Sequence, residues 1–139
     1  MILYHRTTDA AAAAILRNGF RDGTGSYMTC ESHTGVWLSD VPLDCNEGAH
    51  GDALLRVQLA LDHGAIADFE WIEECKGYRE WLIPAELINK HATVRVIDEY
   101  EDEEVAEIRR PKIEAMRALI ERMERGLAAP APRKAKAGK

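Results

Sequence analysis

Three short stretches place chemistry-bearing side chains where strand-like segments ordinarily put apolar ones. They are Tyr4-His5-Arg6-Thr7, Gly35-Val36-Trp37-Leu38-Ser39-Asp40 and Tyr78-Arg79-Glu80-Trp81-Leu82-Ile83. An imidazole donates or accepts a proton near neutral pH. An indole offers a flat apolar face and one N–H. A carboxylate stabilises positive charge that develops beside it. Presented on strand-like segments, the three side chains look like a nucleotide-binding cleft and not like scattered surface polarity. Each also has a blander reading: His5 as a half-buried histidine satisfied by backbone, Trp37 as core, Glu80 as an edge-strand charge or the partner of Arg79 or Arg56. Burying a carboxylate without a partner is costly, which makes Glu80 the sharpest of the three.

The elements that must position these residues are readable from pattern. Ile2–His5 reads as a strand. Thr7-Thr8-Asp9 supplies N-caps for a helix over Ala10–Asn18, with Gly19 just past its end. Arg21–Ser26 reads as a glycine-containing loop. Gly35–Ser39 is a strand, and a helical turn is expected near Pro42–Asn46. Ala53–Leu61 is the longest strand, with Leu55, Val57, Leu59 and Leu61 alternating against Leu54, Arg56, Gln58 and Ala60. Ala65–Phe69 reads as a weaker extended stretch. Tyr78–Ile83 and Thr93–Ile97 are further strands, the first ended by Pro84. Alternation puts Tyr78, Glu80 and Leu82 on one face and Arg79, Trp81 and Ile83 on the other. After an acidic run over Glu99–Glu104, Ile113, Met116, Leu119, Ile120, Met123 and Leu127 recur at helical spacing, with Pro111 marking a first turn or a kink. Short strands with an early and a late helix give an α+β class.

The order and flanking letters of the three stretches resemble the His–Tyr–Glu signature of the ADP-ribosyltransferase superfamily, in the branch related to diphtheria toxin and the poly-ADP-ribose polymerases. Here it reads His–Trp–Glu, over roughly residues 2–97. The resemblance implies a split β-sandwich, two packed and mostly antiparallel sheets with NAD in the cleft between them. In the family's His-Gly-Thr/Ser element the histidine bonds the ribose next to the adenine, and the backbone of the next residue holds the nicotinamide amide. By that pattern His5, Arg6 and Thr7 are cofactor-binding residues, with Arg6 standing where the family has glycine. Gly-Val-Trp-Leu-Ser-Asp is similar to Gly-x-Tyr-Phe-Ala-Asp, so Trp37 takes the place of the tyrosine that stacks on nicotinamide, and Ser39 lies in the same element. Glu80-Trp81-Leu82-Ile83 is similar to Glu-Tyr-Ile-Val, whose glutamate bonds the nicotinamide ribose 2′-OH. The implied catalytic set is therefore Glu80, His5 and Trp37, with NAD as substrate. Nicotinamide leaves as a neutral ring, so a carboxylate that stabilises the oxocarbenium-like sugar needs no general acid beside it. Arginine-modifying members carry Glu or Gln two residues before the glutamate. Tyr78 occupies that position, which argues against arginine as the acceptor. The family's serine beyond the aromatic has no clear counterpart, with Cys45 falling near that point.

The expected activity is transfer of ADP-ribose to a macromolecular acceptor with release of nicotinamide. The alternatives are NAD hydrolysis, RNA 2′-phosphotransfer, and a non-catalytic binding module on the same fold. Arg17 and Arg21 flank the end of the first helix. Arg17 reads as a solvated charge, and Arg21 is a candidate for the NAD pyrophosphate, since arginine suits bidentate phosphate contact.

Composition bounds these readings. The 139 residues carry a formal charge of −6. The bases Arg133, Lys134, Lys136 and Lys139 cluster after Ala128, leaving the body more acidic still. Such a body argues against nucleic acid as a partner. No apolar run approaches the ~18 residues of a membrane span. The N-terminus has no secretory pattern, and Cys30, Cys45 and Cys75 form no C-x-x-C pair, so reduced thiols and a cytoplasmic location are expected. Cys30, His33, Cys45 and His50 have types and spacing that zinc tolerates, but lack the turn chemistry of a knuckle, and no metal is expected. The expected organisation is an NAD-binding domain over 1–98, an acidic run and amphipathic helix over 99–127, and a disordered basic tail over 128–139. The helix offers core packing or a homodimer seam.

Overall fold

A computed structural model describes residues 1–25 and 32–126. The chain divides into two compact units, Met1–Asp102 and Glu103–Lys139. Among the described residues the first unit contains seven strands: β1 (Ile2–Thr7), β2 (Gly23–Gly25), β3 (His33–Ser39), β4 (Ala53–Leu59), β5 (Glu70–Trp71), β6 (Glu80–Ile83) and β7 (Ala92–Ile97). Helix α1 (Asp9–Asn18) follows β1, and α2 (Ala85–His91) follows β6. The second unit contains α3 (Glu103–Glu124).

All pairings are antiparallel and run in the order β5-β6-β3-β1-β4-β7, with β2 paired to β3. In place of the two packed sheets expected, the described strands form one seven-stranded sheet with two halves. The halves meet at a single register pair, Tyr4 with Ser39, whereas β1 and β4 match from Ile2↔Gln58 through to Thr7↔Ala53.

Alternation along these strands builds the core. Leu3, Val36, Leu38, Leu55, Val57, Leu59, Trp81 and Ile83 are buried together against Ala12 and Phe20, Ile66, and Ala85 and Ile88 of α2. Each such side chain contributes roughly 1.5–3 kcal/mol. Leu55 is fully enclosed at the centre, and its truncation to Ala would cost about 2–5 kcal/mol.

Local chemistry sets the ends of α1. The Thr8 side chain accepts from the Ala11 N–H at 3.1 Å, and Gly19 closes the helix at φ +83°. A side chain there would be strained in φ and would meet the Asn89 amide at 2.9 Å. That amide holds the chain beyond α1: Asn89 Oδ1 accepts from the Phe20 N–H (2.8 Å) and Nδ2 donates to the Phe20 carbonyl (3.0 Å). Asp22 accepts from the Ala85 N–H at the start of α2 (2.8 Å).

Three local expectations differ from the structure. Gly23–Gly25, read as loop, is a strand, because its backbone pairs with His33–Gly35. The Ala65–Phe69 stretch lies in a 3₁₀ helix over Gly64–Phe69, begun where Asp62 accepts from the Ala65 N–H at 2.9 Å. The β6 strand starts at Glu80, not Tyr78. Pro111, expected at a first turn or after an earlier helical segment, has such a segment before it and lies inside α3.

Candidate active site

The site is made by the parting of β1 from β3. The Met1 amino group and the Leu59 carbonyl, and the Leu59 N–H and the Met1 carbonyl, are hydrogen-bonded at 2.9 and 2.8 Å. Bonded and non-bonded pairs alternate in an antiparallel ladder. Leu3, His5 and Thr7 therefore turn their backbone groups to β4, while Tyr4 and Arg6 turn theirs toward β3. Tyr4 finds Ser39 there. One step on, β1 and β3 no longer pair, so the Arg6 N–H and carbonyl face the opening.

His5 maintains this opening. Its Nδ1 lies 2.7 Å from the Trp37 carbonyl, the acceptor that a continued ladder would offer to the Arg6 N–H. A carbonyl only accepts, so Nδ1 carries the proton and Nε2 of the neutral ring keeps a lone pair. Burial holds the His5 pKa below its ordinary 6.5, with the bond to Trp37 opposing that shift. Phe20 packs edge-on against the ring, with centroids 5.4 Å apart.

Register places Trp37, Ser39, Glu80 and Arg6 on the sheet face opposite the main core, since Trp37 pairs with Leu82 and Ser39 with both Glu80 and Tyr4. His5, on the other face by alternation, reaches the same opening from within. A cleft of about 190 Å³ is lined by His5, Arg6, Trp37, Ser39, Glu80 and the 43–50 loop. A second cavity of about 440 Å³ is lined by Thr7, Phe20, Arg21 and one side of α1, and shares His5 and Trp37 with the first. Together they reach the ~300–1,000 Å³ usual for small-molecule sites.

Each singled-out residue thus has a defined place. Trp37 stands edge-to-face with Trp71 (5.4 Å), which in turn packs on His33 (4.7 Å). Ser39 is buried and its hydroxyl is occupied, donating to the Val41 carbonyl at 2.6 Å, so its contribution to the cleft is shape. The Arg6 side chain is occupied as well. It donates to the Leu43 carbonyl (2.5 Å) and makes a two-pronged pair with Glu99 (2.7 and 3.1 Å). Glu99 holds the guanidinium pKa above its ordinary value. Arg6 therefore offers the cleft its backbone, while its side chain secures the loop that roofs it. Gly51 ends that loop at φ +125°, where a Cβ would fall 2.1 Å from the Thr7 carbonyl.

Glu80 has a partner other than Arg79 or Arg56. Lys76 Nζ donates to its Oε2 at 2.7 Å, with only 7% and 13% of the two side chains exposed. The ammonium also sits 4.9 Å from the centre of the Tyr78 ring. Arg79 instead pairs with Glu70 at 2.6 Å, holding the Glu70 carboxyl below its usual range. Lys76 was not singled out from sequence, although its spacing four residues before Glu80 was visible. Of the zinc candidates, Cys30 lies outside the described residues, and among the described residues no three His, Cys, Asp or Glu side chains are grouped to hold a metal ion.

The arrangement can do the following chemistry. A planar ring entering the parting would meet the indole, and an amide on it would find the Arg6 backbone. A hydroxyl could donate to His5 Nε2. Glu80 Oε1 is left beside whatever sugar follows the ring, because Lys76 holds Oε2. No family model matches the chain, and neither does any curated protein or solved structure.

Proposed function

We propose that the protein is an NAD-consuming ADP-ribosyltransferase on a split-sheet fold, transferring ADP-ribose to a macromolecular acceptor. The observation that carries this reading is the parting of β1 from β3 after Tyr4–Ser39, which brings the Arg6 backbone, Trp37 and Glu80 to one cleft. A carboxamide needs one donor and one acceptor side by side, and a strand edge that has lost its neighbour offers that pair. Trp37 supplies the apolar surface for the pyridinium ring. His5 Nε2 accepts from a ribose hydroxyl of the adenosine half, which runs toward the second cavity, with Arg21 beside the pyrophosphate.

Glu80 performs the chemical role. Its carboxylate accepts from the 2′-OH of the nicotinamide ribose and stabilises the sugar cation as the C1′–N bond breaks. The bonding electrons leave with nicotinamide, and the acceptor's nucleophile adds at C1′ while its proton passes to a base. Lys76, fixed on Oε2, orients the carboxylate.

Incubation with NAD labelled in the adenylate, with and without cell extract, tests the reading. Label joined to macromolecules with free nicotinamide supports transfer; free ADP-ribose alone makes water the acceptor. Absence of both, with no NAD bound, rejects the site.

A further inference from the structure

From Pro111 to Gly126 every residue of the second unit's helical segment is exposed. Yet Ile113, Met116, Leu119, Ile120 and Met123 lie on it with 47–66% of their surfaces open. In proteins most helical stability comes from packing an amphipathic face, and this stretch of α3 packs none of its own, so it is built to be covered. We propose that it is covered by the same stretch of a second copy, running antiparallel.

The spacing defines the seam. Ile113 and Ile120 fall at heptad position a, and Met116 and Met123 at d. Pro111 falls at f, on the outer side, where its missing N–H and its ring do not disturb the contact. In an antiparallel pair the layers become Ile113 with Met123 and Met116 with Ile120, each occurring twice by the two-fold symmetry.

Charge chooses both occupant and direction. A parallel pair faces position g against the following e, which sets Lys112 against Arg117 twice. An antiparallel pair faces e with e and g with g. Arg110, which within its own helix reaches Glu107, then meets Glu124 of the second copy at both ends, and Leu119 meets Leu119. The one unfavourable contact is Arg117 with Arg117 at the centre. The opposed helix dipoles add to the preference. Two attractive contacts and one repulsive compare with two repulsive ones, and the helix is complementary to itself.

Equilibrium sedimentation of the full chain over a wide range of loading concentrations tests this. A reversible monomer–dimer equilibrium is expected, abolished by Met116→Glu with Ile120→Glu. Arg110→Glu should raise the dissociation constant about five- to tenfold, and adding Glu124→Arg should restore it. In a chain whose native cysteines are changed to Ser, Leu119→Cys should form an intermolecular disulfide, since g faces g only when the helices are antiparallel. Circular dichroism of the variants separates loss of pairing from loss of fold. A monomer at every concentration, a dimer that survives the double Glu substitution, or a charge swap without effect would each overturn the proposal.

Discussion

The two sides of β1 behave differently. Toward β4 the strand is zipped from end to end, and the residues it presents with β4 to the core, Leu3, Leu55 and Val57, are almost wholly enclosed. Toward β3 it pairs once and then parts, and the residues at the parting are His5, Arg6, Trp37 and Glu80. One strand thus serves as scaffold on one edge and lines a cleft on the other. The lesson is that an open strand edge inside a sheet is held open by specific bonds: His5 takes the Trp37 carbonyl out of the ladder, and Arg6 draws its side chain away to Leu43 and Glu99.

Removing the carboxylate from the open side should have the largest effect. Glu80→Gln is isosteric, and nicotinamide release should fall by about 10²–10³, with NAD binding by calorimetry retained. Lys76→Met should lower kcat by roughly tenfold with KM little changed, because a freed carboxylate loses its orientation; Lys76→Arg should recover part of the rate.

Breaking the bonds that hold the edge open comes next. Arg6→Ala strands the half-buried Glu99 carboxylate and releases the loop above the cleft. Denaturant melting should show a loss of about 3 kcal/mol. His5→Leu should weaken NAD binding about tenfold, read as KM, since it removes one acceptor and the bond to Trp37.

The smallest effect sharpens the comparison through pH. The His5 pKa is lowered in the folded protein, so the unfolded chain takes up the proton first as pH falls. The stability this contributes is full above pH 6.5 and declines as pH falls through the folded-state value. The same protonation turns Nε2 from acceptor to donor. NAD affinity should therefore decline on acidification, and His5→Gln should flatten that profile.

The zipped side was legible in the sequence and the parted side only partly. The alternation of Leu55, Val57 and Leu59 reports a buried face wherever the strand pairs, so β4 could be read from its own residues. Trp37 and Glu80 could be picked out because each breaks an apolar strand. The parting itself depends on register between strands some 30 residues apart and on which carbonyl an imidazole reaches, neither of which a local pattern encodes. For the same reason α2 went unread: Pro84 marked the end of β6, but the cap for the helix comes from Asp22, far back in the chain. Lys76 stayed hidden because Arg79 lies nearer in sequence to Glu80, while in the fold Arg79 turns to Glu70.

The central claim, that the opening between β1 and β3 is where NAD is cleaved, is tested most directly by following nicotinamide release from NAD beside NAD binding for the native chain and for Glu80→Gln. Release by the native protein, with near-complete loss in the variant and binding preserved in both, is the expected result. Equal release from both proteins, or no binding of NAD to the native chain, would contradict it.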